Sequence, residues 1–165
     1  MLFRSLRRMF NAGNERGVHV RTHFKSLKCG GLAKYIHARG GTTFLAAKLN
    51  EAEVLADAGI TDILIANQIV GAHKMPRLAA LAKRVQLRVC VDQADNIDQL
   101  SRAMQAAGAT LGVLVEVDIG MARCGVLPGD AAIPLAQRIG KSPGDRKSTR
   151  LNSSHIQKSR MPSSA

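Results

Sequence analysis

Short apolar runs recur along the chain at a spacing of about 25 residues, over 18–24 (VHVRTHF), 42–47 (TTFLAA), 62–67 (DILIAN), 87–92 (LRVCVD) and 111–118 (LGVLVEVD). Their length and β-branched content suit buried strands. Between them, residues 30–38, 51–58, 74–84, 97–107 and 130–139 bring apolar positions back every three or four residues, as a helix with one buried face requires. Asn50 followed by Glu53 reads as an N-cap with its capping-box partner, and Gly59 as a helix stop.

Strand and helix alternating in this way predict an α/β fold whose parallel strands are covered by helices. Five strands fit either an open doubly wound sheet or part of an eight-stranded (β/α)8 barrel, which usually needs about 250 residues. Polar groups cluster at or just after the strands' carboxyl ends, over 23–25, 66–68, 91–92 and 116–123, where barrel enzymes assemble their sites. No GxGxxG follows the first strand, as a dinucleotide fold would require. The expectation is a truncated TIM-type barrel.

With 165 residues, 45% of them hydrophobic, the chain can bury the core of one ordinary domain. Cys29, Cys90 and Cys124 show no CxxC spacing, so neither a zinc site nor a disulfide framework is expected, and a reducing cytoplasm is the expected compartment. No apolar run approaches the length of a membrane span.

A formal charge of +12 would ordinarily suggest nucleic acid. A third of that charge, +4 of the +12, comes from the Ser-rich tail DRKSTRLNSSHIQKSRMPSSA (145–165), which holds five Lys/Arg against one Asp and predicts disorder. This tail reads like the in-frame translation of a sequencing-library adapter, and LFRS (2–5) like the end of the opposite adapter. That sets aside a transit peptide for the basic, apolar opening MLFRSLRRMF. The expected organisation is an adapter-like start over 1–5, a partial barrel over 6–144 and an artefact tail over 145–165. Without Arg4 and the tail, 18 Lys/Arg face 11 Asp/Glu, spread along the chain as solvated helix faces, and stacking aromatics for RNA are few. No nucleic-acid partner is expected.

The stretch VRTHFKSLKC (20–29) puts Arg21, His23, Lys25 and Lys28 around a strand's carboxyl end. On pattern alone, Lys25 and Lys28 read as surface charges. The alternative is that cationic neighbours and partial desolvation free the Lys25 amine to form a Schiff base. Elsewhere the plainer readings hold. His37 and His73 lie at helix ends, Glu51 and Glu53 are helix-start charges, Asp92 and Asp118 cap turns, Cys124 is a buried structural thiol, and Met104 and Met121 pack the core.

Three blocks, VRTHFKSLKC, KLNEAEVLADAGITDILIANQIVG and VLVEVDIGMARCGV, resemble in order and spacing the amino-terminal barrel of the D-threonine aldolase and D-serine dehydratase family. Its members are pyridoxal-phosphate enzymes with the alanine-racemase type of amino-terminal barrel. The resemblance implies that Lys25 carries pyridoxal 5'-phosphate, that Arg123 faces its phenolic oxygen, and that Arg21 and His23 are further cofactor-binding positions. It implies a lyase acting on a small D-3-hydroxy amino acid, cleaving it by retro-aldol reaction to glycine and an aldehyde. The alternatives are a dehydratase releasing ammonia and a barrel that binds the cofactor without turnover. A divalent metal is expected in the full-length family protein, with its ligands beyond Gly144 and none in this chain. The chain as written is accordingly expected to be poorly folded and inactive. Thr22 stands where the family has Pro, Leu27 where it has a second His, Ala122 where it has Gly, and Ala47 where the aldolase branch often has Gln.

Overall fold

A computed structural model describes residues 4–142, so the tail and the first three residues of the adapter-like start lie outside it. All five expected strands form, as β1 (Arg21–His23), β2 (Thr43–Ala46), β3 (Asp62–Ile65), β4 (Gln86–Val91) and β5 (Gly112–Val115). They make one sheet in the order β1-β2-β3-β4-β5, every pairing parallel. Sequential order without a crossover back is the progression of a barrel wall; a doubly wound sheet would reverse direction.

Helices α2 (Gly30–His37), α3 (Leu49–Asp57), α4 (Met75–Ala82), α5 (Ala94–Ala107) and α6 (Ile133–Lys141) follow the strands in turn. One sheet face packs on them through Phe44, Ala46, Ile63, Ile65, Leu87, Val89 and Val91, all essentially inaccessible. Alternation then sends Arg21, His23, Leu45, Asp62, Leu64, Arg88, Cys90 and Leu114 to the other face, the concave side of a barrel wall. That face mixes leucines with ionic groups, which is why the strands read as half alternating and half continuous.

Several element ends differ from expectation for identifiable reasons. Helix α3 begins at Leu49, and Lys48 rather than Asn50 is the N-cap. Glu51 supplies the reach-back half of a capping box, its Oε2 accepting the Ala47 N–H at 2.7 Å. At the other end Gly59, at φ +84°, stops the helix as expected. There the Ile60 N–H donates to Leu55 O and the Gly59 N–H to Ala56 O, a Schellman closure sealed by the buried Leu55 and Ile60 side chains. Helices α4 and α6 are each preceded by a single 3-10 turn, Ala72–Lys74 and Asp130–Ala132. Each carries a proline in its first turn, where the missing N–H costs nothing.

Helix α1 (Arg4–Glu15) was not expected at all. It docks through Phe10, 4% exposed, whose ring fills the space over Gly40 and Gly41. A Cβ on Gly41 would lie 2.7 Å from the Phe10 Cζ and 2.5 Å from the Ile36 Cγ2, so the glycine is what admits the ring.

Candidate functional site

The carboxyl end of β1 leads directly into a 3-10 turn, Phe24–Ser26. Phe24 is buried in the core, and its carbonyl accepts the N–H groups of both Leu27 and Lys28 at 2.8 Å, so the turn is anchored by side chain and backbone together. His23 caps it. Its Nδ1 accepts the Lys25 backbone N–H at 3.3 Å, which puts the neutral ring's proton on Nε2. Lys25 itself projects from the turn and is exposed, so the partial desolvation expected around it is absent among the described residues.

Arg21 has other partners. Its Nη1 donates to Asp62 Oδ1 at 2.8 Å, and Arg88 Nη1 donates to the same oxygen at 2.7 Å. Register puts Arg21 level with the first residue of β3, toward the amino end of the sheet and on the concave face. It ties β1 to β3 and β4 there, and its charge is shared with Asp62, which removes it from the cationic setting that the sequence suggested for Lys25.

Arg123 lies on the loop after β5. Asp118 Oδ1 accepts the N–H groups of Gly120, Met121 and Ala122 at 2.9, 2.9 and 3.1 Å, and these bonds, Gly120's first, hold its carboxyl below the usual carboxylate range. The chain turns back so that the Asp118 N–H donates to Val126 O and the Val126 N–H to Glu116 O. Gly125, at φ +97°, makes this possible, since a Cβ there would lie 2.7 Å from the Asp118 nitrogen. Arg123 and Met121 are exposed, with the guanidinium 3.5 Å from the Met121 sulfur, so Met121 is not a core residue as expected. Cys124 is exposed as well, where a buried thiol was expected.

A polar row that the sequence reading did not assemble stands beside this loop. Gln68 Nε2 donates to Asp92 Oδ2 at 3.0 Å and to Glu116 Oε2 at 2.7 Å. Asp92 Oδ2 also accepts the Gly125 N–H at 3.0 Å, and the Cys124 thiol donates to Glu116 Oε1 at 3.2 Å. Cys90 opens onto the same acidic corner, where burial first, then the charges of Glu116, Cys124 and Asp92, push its thiol up to about 12. Partial burial of the Cys124 sulfur, followed by its bond to Glu116, likewise raises that thiol. The signal for the row was in the sequence. The strand register from β3 to β4 and from β4 to β5 is offset by a constant 24 residues, which is also the spacing of Gln68, Asp92 and Glu116. His37 and His73 stay at helix ends, and Glu53 pairs with Arg77 across α3 and α4. Among the described residues no group of three or more His, Cys, Asp or Glu could hold a metal ion, and no helix is long and apolar enough to cross a membrane.

A five-stranded parallel wall with a lysine turn after its first strand and an arginine loop after its fifth now has a counterpart among known proteins. The alanine racemase N-terminal domain matches residues 3–159. The chain belongs to that family. The match runs past Gly144, where the partial barrel was expected to end. The D-threonine aldolase of Arthrobacter sp is 41% identical over 140 residues, covering 85% of this chain and 37% of the relative. The crystal structure of D-threonine aldolase from Filomicrobium marinum superposes with a TM-score of 0.82 at 44% identity, over 90% of this chain and 39% of that one. D-threo-3-hydroxyaspartate dehydratase from Delftia sp. HT23 superposes at 0.71 with 30% identity, over 90% of this chain and 38% of that one. The chain thus spans somewhat more than a third of the length of these relatives, and the fold is a portion of the alanine racemase N-terminal barrel.

Proposed function

We propose that this chain is the cofactor-bearing portion of a pyridoxal-phosphate lyase acting on small D-3-hydroxy amino acids, with D-threonine aldolase activity as the leading reading. The observation that carries it is the exposed Lys25 on an anchored turn at the carboxyl end of β1, in a chain 44% identical to a D-threonine aldolase of the same fold. The donor set fits the cofactor's chemistry. A primary amine can condense with its aldehyde, a guanidinium can face its phenolic oxygen, and an imidazole sits beside the amine's own turn.

In this reading Lys25 would hold the cofactor through its primary amine. His23 keeps the turn in one geometry through the Nδ1 bond to the Lys25 backbone, so the amine starts from a fixed backbone. Arg123 would face the cofactor's phenolic oxygen from a loop whose backbone is tied to Asp118 and Asp92. Arg21, held by Asp62, braces the strand that carries His23. When bound, pyridoxal phosphate acts as an electron sink for the bond broken at the substrate's α-carbon. The same residues serve dehydration, and the dehydratase from Delftia sp. HT23, with the same architecture, keeps that alternative open. A divalent metal, if the whole protein uses one, takes its ligands from residues outside those described.

Borohydride reduction after adding pyridoxal 5'-phosphate, followed by peptide mass spectrometry, tests the assignment. One pyridoxyl group is expected on the peptide containing Lys25, and Lys25→Ala should abolish it. Labelling spread over many surface lysines, unchanged in Lys25→Ala, would sink it.

A further inference from the structure

We infer that Gln68, Asp92 and Glu116 are positioning residues for Arg123, acting through a loop that they clamp on the side opposite Asp118. The inference rests on the reading of Arg123 as a cofactor-facing group, and it adds three residues to which that reading gives no role.

Besides its backbone closure, the loop from Glu116 to Val126 has two sets of side-chain ties. Asp118 gathers the N–H groups of Gly120, Met121 and Ala122, which precede Arg123. Asp92 takes the N–H of Gly125 and Glu116 takes the thiol of Cys124, which follow it. Arg123 is therefore the residue between two fixed flanks, and its side chain starts from a defined backbone although its tip is exposed. The second set depends on Gln68. Asp92 and Glu116 are adjacent in register at the ends of neighbouring strands, and two such carboxylates repel unless a donor lies between them. Both hydrogens of the Gln68 amide are used for that purpose, one on each carboxylate. The amide so holds the two acceptors at the separation that the loop needs. An acceptor at position 68 would reverse the effect.

The test uses the chain and its Gln68→Glu variant, which keeps the shape and removes both donors. In the cofactor-free proteins, peptide-resolved hydrogen exchange over 120–126 is expected to be faster in the variant by about ten-fold or more, while β3 and β4 exchange as before. With pyridoxal 5'-phosphate bound at Lys25, the pH midpoint of the cofactor's absorption band should move in the direction it moves in Arg123→Lys. A residue that acts through Arg123 has nothing left to act on in Arg123→Ala, so adding Gln68→Glu to that background should leave the midpoint where it is. Gln68→Met, neutral and of similar length, serves if the acidic variant does not fold. Unchanged loop exchange, or a midpoint shift that persists without Arg123, overturns the inference. A wild-type chain that takes no cofactor at Lys25 overturns the functional reading instead, while the exchange rates still decide whether the clamp exists.

Discussion

Ala122 sits at φ +49°, in the left-handed region, at the position where the family resemblance expects glycine. An alanine there carries a penalty of about 1 kcal/mol from its Cβ. Ala122→Gly should therefore raise the urea midpoint by an amount equivalent to somewhat under that figure, glycine's looser unfolded state offsetting part of the gain. Cys90 provides a second residue-scale prediction. Burial pushes its folded thiol up to about 12 from an ordinary value near 9.0, so above pH 9 the unfolded chain gives up a proton that the folded chain retains. Stability from this group is whole below pH 9, falls by about 1 kcal/mol by pH 10, and is fully lost only past the folded value. Cys90→Ala should unfold with a shallower loss between pH 8.5 and 10.5, as measured by urea titration at each pH. The roles proposed for Lys25 and Arg123 come from resemblance alone, because nothing in the local pattern separates a cofactor lysine from any other surface lysine. Gln68, Asp92 and Glu116 were placed at strand carboxyl ends but not joined into one network, because only strand register aligns them.

At the level of elements the sequence was informative wherever burial is one-sided. Each strand lies within or one residue off its expected run, since β-branched residues facing the helices leave a periodic mark. The start of α3 moved because caps are decided by one or two hydrogen bonds. At α3 the glutamate that reaches back is Glu51, two residues before the one expected. Helix α1 escaped notice because its apolar stripe is narrow, and its main anchor, Phe10, needs the bare backbone of Gly40 and Gly41 about thirty residues away. Phe10→Ala should cost about 3 kcal/mol and leave α1 undocked. Urea unfolding would give the cost, and amide exchange confined to α1 and the turn after α2 would locate it.

For the whole molecule, alternating strands and helices with polar groups at the carboxyl ends were enough to favour a barrel over a doubly wound sheet, and the strand order agrees. Activity was not legible in that architecture, which supports many chemistries. The proposed activity rests on three short blocks and on the shared fold and identity with aldolase and dehydratase relatives. Among the described residues β1 and β5 each pair on one side only. Their outer backbone groups form two open ladders, surfaces that readily template further strand addition. A formal charge of +12 opposes such pairing between copies by mutual repulsion, a long-range force that salt shortens to about 3 Å at 1 M. The chain's colloidal behaviour should accordingly be governed by ionic strength. Light scattering is expected to stay flat with concentration in dilute buffer and to climb in molar salt.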